Sequence, residues 1–310
     1  MTDITTTGCG KKSAVALGFF DGLHLGHIEV IKRALAKDGL CSVVFTFNNN
    51  TMLPKFKERQ DIISYELKRE FLSKIGLDCI FAPDFADLRE LCPKEFVDEI
   101  LVKKLNAGFV ACGYDFRFAK GGSADAVDLA RLCAERNIEV SVVPAVKING
   151  EPVSSTAIRR LIKEGDIKAA NELLGYELTY DSEVIRGKQN GRKMGFPTIN
   201  QILSEDMVSP KNGVYKSWTI LKGHNFPSVT NIGVKPTIAL EAGEQRTPLM
   251  ETHIIGYSGN LYGQRVRVIF REYIREEKRF DSMDKLAEQL ERDKRAACSL
   301  SDYRRYCSPN

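Results

Sequence analysis

Long apolar runs are missing from this chain of 310 residues. No stretch approaches the ~18 residues of a membrane span, and no basic start with an apolar core marks an export signal. Histidine is scarce, at four, and tryptophan occurs once. The eight cysteines contain no C-x-x-C pair, so a zinc site lacks its usual spacing and its usual partners. Their thiols are expected to be reduced, in a cytoplasmic protein. Cys41, Cys79 and Cys112 fall in strand-like apolar runs, where cysteine acts as a small hydrophobe. Charge of one sign is lacking too. A net +4 spread along the chain does not require nucleic acid or membrane, although clusters such as Arg265/Arg267/Arg271 and Arg304/Arg305 could touch phosphate backbones. No G-x-x-x-x-G-K-[ST] occurs, which excludes a Walker A loop. Repeats and low-complexity tracts are absent.

What is present fits a soluble globular protein of one or two domains, with 43% hydrophobic and 28% charged residues. Over the first ~175 residues strand patterns such as Ala14–Leu17, Ser42–Phe47 and Phe109–Cys112 alternate with helical ones. That order predicts a Rossmann-like α/β domain with a parallel sheet, over residues 1–177. After Gly175 come short alternating strands separated by Gly, Asn and Pro, then one helix from Met283. They predict a small antiparallel β-barrel with a C-terminal helix over residues 178–310.

The stretch GFFDGLHLGH, Gly18 to His27, stands between the first strand and its helix. Ligands gather at the carboxyl ends of parallel strands, and a helix start near Gly26 or His27 attracts phosphate. Glycines Gly18, Gly22 and Gly26 let backbone approach closely. Phe19, Phe20 and Asp21 complete the loop. Imidazoles at His24 and His27 suit the charge that grows on a leaving pyrophosphate. The stretch VSSTAIR adds hydroxyls at Ser154, Ser155 and Thr156 and a forked cation at Arg159; a plain helix cap is the alternative there.

In the second half IRGKQNGRKMGFPTIN, Ile185 to Asn200, supplies Gly187, Gly191 and Gly195 for a pliant loop, with Lys188, Arg192 and Lys193 as cations. A solvated hairpin would also explain it. Thr198 and Asn200 lie two apart, so in a strand they share a face. Their oxygens suit Mg²⁺.

GFFDGLHLGH and SSTAIR resemble the signatures of the H-x-G-H nucleotidylyltransferases. More narrowly, they resemble the FMN adenylyltransferase half of bacterial bifunctional riboflavin kinase/FAD synthetases. GYDFRFAKGG, Gly113 to Gly122, is similar to the loop this family places beside its flavin, which implies flavin-side roles for Asp115, Phe116 and Phe118. An ordinary core aromatic is the alternative for Phe118. GRKMGFPTIN, NGVY, NIGVKPT and METHI resemble the riboflavin kinase half, in its order. That resemblance implies that Thr198 and Asn200 help hold Mg-ATP. It also implies that Glu251 faces the ribityl hydroxyl, accepting its proton late. REYIREEKRFDS, Arg271 to Ser282, resembles a flap of the family or is a solvated charge run. Two departures stand out: asparagines in TFNNNTM, Thr46 to Met52, where the family has acid-Pro-His-Pro, and Ala119 where it has glycine. Both border the flavin side.

The expected activity is FAD synthesis. Riboflavin is phosphorylated by ATP to FMN, and FMN then takes AMP from a second ATP. FMN and FAD are intermediate and product, and Mg²⁺ accompanies ATP. The alternatives are a riboflavin kinase with a weakened first domain and a non-catalytic flavin- or RNA-binding protein. The expected partners are small molecules alone, with no nucleic acid and no membrane, in a monomer or weak oligomer.

Overall fold

A computed structural model of the protein describes residues 2–4, 10–47, 60–187, 191, 195–234 and 248–298. Lys188, Arg192, Lys193, Arg304, Arg305, residues 235–237 of NIGVKPT and residues 48–52 of TFNNNTM lie outside the described residues. The chain divides into two compact units, Met1–Ser155 and Thr156–Asn310.

The first unit is a six-stranded parallel sheet. Its strands are β1 (Thr2–Ile4), β2 (Ser13–Leu17), β3 (Cys41–Phe45), β4 (Cys79–Phe81), β5 (Ala107–Gly113) and, after the two-residue strands β6 (Arg117–Phe118) and β7 (Ala124–Asp125), β8 (Glu139–Val143). The order across the sheet is β1-β4-β3-β2-β5-β8. All five residues of β2 are buried, as a strand covered on both faces must be. The connections are α1 (Leu25–Leu35), α2 (Tyr65–Ile75), the short α3 (Phe85–Leu88) and α4 (Pro93–Glu95), a π-helix over Phe96–Lys104, and α5 (Ala126–Ala134). Helix α1 turns Val30, Ile31 and Ala34 onto the sheet and ends with Lys32 and Arg33, cations suited to its negative end. Strand β1, three residues with no pattern of their own, was not legible in the sequence.

From β2 the chain steps outward through β3 and β4, then returns to lay β5 and β8 on the other side. The order therefore reverses between β2 and β5, and that switch point is where an open parallel sheet leaves a crevice at its carboxyl edge.

A hairpin of β9 (Lys147–Ile148) and β10 (Glu151–Pro152) precedes the second unit. There β11 (Thr179–Ile185), β12 (Thr198–Ile202), β13 (Gly213–Leu221), β14 (His224–Val234), β15 (Pro248–Ile254) and β16 (Arg265–Arg275) close a barrel in the order β11-β12-β15-β14-β13-β16. Every pairing in it is antiparallel. Its buried face is partly polar: Ser217 bonds Thr230 at 2.8 Å, Thr219 bonds Ser228 at 2.7 Å and Thr230 bonds Thr252 at 2.9 Å. Each hydroxyl is paired, so its burial is not penalised as an orphan.

Helices α6 (Ser155–Glu164) and α7 (Ile167–Leu174), which the sequence pattern attaches to the first half, group with the barrel apart from Ser155. Asn171 on α7 donates to the Phe270 carbonyl at 3.0 Å and accepts from the Leu178 N–H at 2.8 Å. Helix α8 (Met283–Ala297) is capped by Ser282, whose side chain accepts from Lys285 N–H.

Candidate active sites

Leu17 at the end of β2 sits beside Phe45 of β3 and Cys112 of β5. The stretches that follow these residues, Gly18–His27, Thr46–Phe47 and Gly113–Phe118, therefore leave the sheet at one carboxyl edge. Phe20 (φ +52°) and Leu23 (φ +41°) take left-handed backbone in the corner, and both side chains are buried and hold the turn in place. Helix α1 starts at Leu25, earlier than the Gly26–His27 expected, which makes His24 its N-cap. The His24 Nδ1 accepts from the His27 N–H at 3.3 Å. A neutral ring held this way carries its hydrogen on Nε2, as a donor. The two imidazoles stack with centroids 3.6 Å apart. A Cβ on Gly26 would come 3.2 Å from the His24 ring, a tight approach that glycine avoids.

Asp21 is buried, its carboxylate accepting from Ile62 N–H at 2.9 Å, while its carbonyl accepts from the Ser155 hydroxyl at 2.9 Å. Ser154 is half-buried; Thr156 is exposed and Arg159 half-buried, on α6. Asp115 is exposed and Phe116 half-buried in the loop after β5. Phe118 is buried, 5.2 Å from Phe96 and stacked on Phe116 at 5.8 Å.

Sequence reasoning missed Lys68. It stands on an amphipathic helix, where a lysine reads as surface, yet it is 1% exposed. Its ammonium donates to the Phe19 carbonyl (3.3 Å), the Thr46 hydroxyl (3.2 Å) and the Phe47 carbonyl (3.4 Å). Thr46 in turn donates to Phe19 O at 2.8 Å. The loops leaving β2 and β3 are tied together at this point.

In the barrel, register sets the site. Asn200 lies opposite Glu251 and Thr198 opposite His253 on β12 and β15, and Asn231 of β14 lies opposite Glu251 from the other side. All five line one cavity of about 340 Å³. The alternate residues Ile199, Thr252 and Ile254 line a second, of about 620 Å³, with Tyr257 and Tyr262. The two cavities occupy opposite faces of one strand pair, and Thr198 borders both. Gly191 lines the first, and Gly195 (φ +78°) lies in the loop before β12. A Cβ on Gly187 would come 2.5 Å from the Asn200 amide, so any side chain there would have to displace that amide. Asn200 is 5% exposed, and its Oδ1 has no hydrogen-bond partner among the described residues.

The charged run before α8 contributes Glu277, Lys278 and Phe280 to the first cavity, and Glu277 accepts from Asn231 Nδ2 at 2.9 Å. Arg275 and Asp293 line it too; no local sequence signal pairs them. Burial holds the His253 imidazole below the usual histidine range, against the opposing pull of its bond to the Pro197 carbonyl.

The chain joins a parallel sheet that carries a histidine corner at its switch point to a barrel in which Glu251 lies opposite Asn200. A family model described as FAD synthetase matches residues 7–157, and one described as riboflavin kinase matches residues 174–300. A bifunctional riboflavin kinase/FMN adenylyltransferase from Listeria monocytogenes is 34% identical over 286 residues, covering 90% of this chain and 89% of the relative. Its counterpart from Escherichia coli is 31% identical over 291 residues, covering 91% of each. A crystal structure described as a macrolide-efflux protein from Streptococcus pneumoniae matches with a TM-score of 0.84 and 29% identity, over 96% of this chain and 98% of that one. The chain belongs to the bifunctional riboflavin kinase/FMN adenylyltransferase family. No helix among the described residues is long and apolar enough to cross a membrane.

Proposed function

We propose that this chain makes FAD from riboflavin in two ATP-dependent steps, the barrel half (178–310) acting as kinase and the α/β half (1–177) as adenylyltransferase. The observation that carries the reading is Thr198 shared by two cavities, one of which holds Glu251 opposite Asn200. ATP enters from the second cavity and its phosphates pass Thr198 into the Glu251 cavity, where Asn200 and Gly191 also lie and the riboflavin hydroxyl is held. The ribityl oxygen attacks the γ-phosphorus, the bond to the β-phosphate oxygen breaks, and ADP leaves. Glu251 orients the hydroxyl and takes its proton late, since a carboxylate is far too weak a base to strip an alcohol beforehand. The buried Asn200 Oδ1 without a partner fits a hard cation. Thr198 and Asn200 would hold Mg²⁺, which supplies charge neutralisation at the phosphates. Gly187, Gly191 and Gly195, with Lys188 and Arg192, wrap the polyphosphate.

In the second step an FMN phosphate oxygen attacks the α-phosphorus of ATP, and the bond to pyrophosphate breaks. The Nε2–H of His24, the His27 ring and the start of α1 steady the leaving charge. Gly18 to Gly22 and Gly26 give the backbone room for the nucleotide. Ser154, Ser155, Thr156 and Arg159 add phosphate contacts. On the flavin side Asp115 and the half-buried Phe116 are the better-exposed groups, Phe118 backing them from the core. The ligands are riboflavin, FMN and ATP, in a cytoplasmic monomer or weak oligomer.

The test is incubation with riboflavin, ATP and Mg²⁺, followed by separation of FMN from FAD. Both should form. His27→Ala should lose FAD formation by ~10²-fold, the scale of one preorganised donor, and keep FMN formation. Equal loss of both, or no FAD from supplied FMN in the unaltered protein, would overturn the two-centre reading.

A further inference from the structure

His253 is not accounted for by either step above. It follows Glu251 by two on β15, so both side chains face the same cavity, while Thr252 between them is fully buried with its hydroxyl on Thr230. Across the ladder His253 faces Thr198. Its Nδ1 lies 2.9 Å from the carbonyl of Pro197, the residue before Thr198. A carbonyl only accepts, so Nδ1 carries the hydrogen. The ring also meets Phe196 edge-on at 5.4 Å, and the Phe196 N–H donates to Gly191 O at 2.9 Å. One imidazole thus grips two consecutive residues, Phe196 and Pro197, at the point where the glycine loop enters β12.

We propose that His253 is a positioning residue of the kinase centre, its Nδ1–H fixing the Pro197 carbonyl so that Thr198 and Asn200 present their oxygens beside Glu251. The inference rests on the phosphoryl-transfer reading of that centre. His253 itself lines only the first cavity, and it reaches the nucleotide side of the reaction through Thr198, which borders the second as well. Removing the donor should therefore disturb Mg-ATP use more than riboflavin binding.

Two variants of the full chain separate the hydrogen bond from the ring. His253→Phe keeps the contact with Phe196 and loses the donor. His253→Asn loses the ring and offers an amide N–H near the place of Nδ1. Riboflavin phosphorylation is measured against Mg-ATP and against riboflavin, with riboflavin fluorescence quenching reporting that the folded barrel still binds. The Phe variant should lose about tenfold in kcat/KM for Mg-ATP, the scale of one neutral hydrogen bond, with its riboflavin KM within about twofold of the original. The Asn variant should recover most of the loss. A packing role gives the reverse order, Phe active and Asn impaired, and would overturn the proposal, as would two equally active variants. If neither variant quenches riboflavin, the ring is a folding element and the positioning role is rejected. No phosphorylation by the unaltered chain would instead reject the kinase reading beneath it.

Discussion

Arg275 and Asp293, eighteen residues apart, form a buried ion pair with a closest approach of 2.5 Å; the side chains are 14% and 2% exposed. Gln289 donates to the same carboxylate at 2.9 Å. The pair joins the end of β16 to α8, and the segment between them supplies Glu277, Lys278 and Phe280 to the Glu251 cavity. Asp293→Ala leaves a largely buried guanidinium alone and should destabilise the barrel by roughly 3–5 kcal/mol. Thermal denaturation and riboflavin phosphorylation should both register it, and an unchanged melting temperature would remove the pair from the fold's supports.

Glu251→Gln keeps shape and removes the proton acceptor. FMN formation should collapse by ~10²-fold or more, while FMN supplied from outside still becomes FAD. Kinase turnover like that of the unaltered protein would exclude Glu251 from proton transfer.

Lys68→Met keeps the stem and deletes the donor that links Phe19 with Thr46 and Phe47. Each charged hydrogen bond is worth ~1.5–3 kcal/mol, so FAD formation from FMN should fall about tenfold or more with FMN formation intact. If instead only riboflavin phosphorylation suffers, the strand-edge tie has no part in adenylyl transfer.

Ala119 stands at φ +65°, ψ −176°, backbone that suits glycine and strains an L side chain. Such a conformation costs of order 1–3 kcal/mol. Ala119→Gly should raise stability by about 1 kcal/mol in chemical denaturation. A destabilised variant would show that the methyl group has packing that outweighs the strain.

Asp78 accepts from the Ser42 hydroxyl at 2.7 Å and the Ser42 N–H at 2.8 Å. These bonds, the side-chain one foremost, hold its carboxyl below the usual range. A carboxylate lowered on folding stabilises above its unfolded pKa of ~3.9, and that contribution fades as pH falls through the folded value. The melting-temperature gap between the unaltered protein and Asp78→Asn should be widest near neutrality and shrink below about pH 4. A gap constant from pH 7 to pH 3 would contradict this.

Much of both candidate sites is legible in the sequence because each gathers a rare combination of residues in a short stretch. Glycines beside histidines at a strand's end mark the first, and Thr198 and Asn200 share a strand face in the second. What escapes is whatever depends on the third dimension. Along β13, Ser217 and Thr219 are fully buried while the apolar Trp218 and Ile220 beside them are only half-buried. Alternation reports that two faces differ and is silent about which is inside when hydroxyls pair across the barrel. Lys68, on a helix, and Arg275 with Asp293, on separate elements, carry no local pattern that separates a buried charge from a solvated one. Helix α7 could be read as a helix, but its allegiance to β16 lies in the contacts of Asn171 and Lys168 with that strand.

That asparagine bears on how the chain can be divided. A fragment starting at 178 would strip Asn171 from both the Phe270 carbonyl and the Leu178 amide, and would discard the Lys168–Glu272 pair. A fragment starting at 156 keeps these clasps and carries away Thr156 and Arg159, part of the SSTAIR stretch. Neither cut leaves both the Asn171 contacts and the SSTAIR stretch whole. Anyone exchanging these halves between proteins must therefore carry α6 and α7 in both fragments.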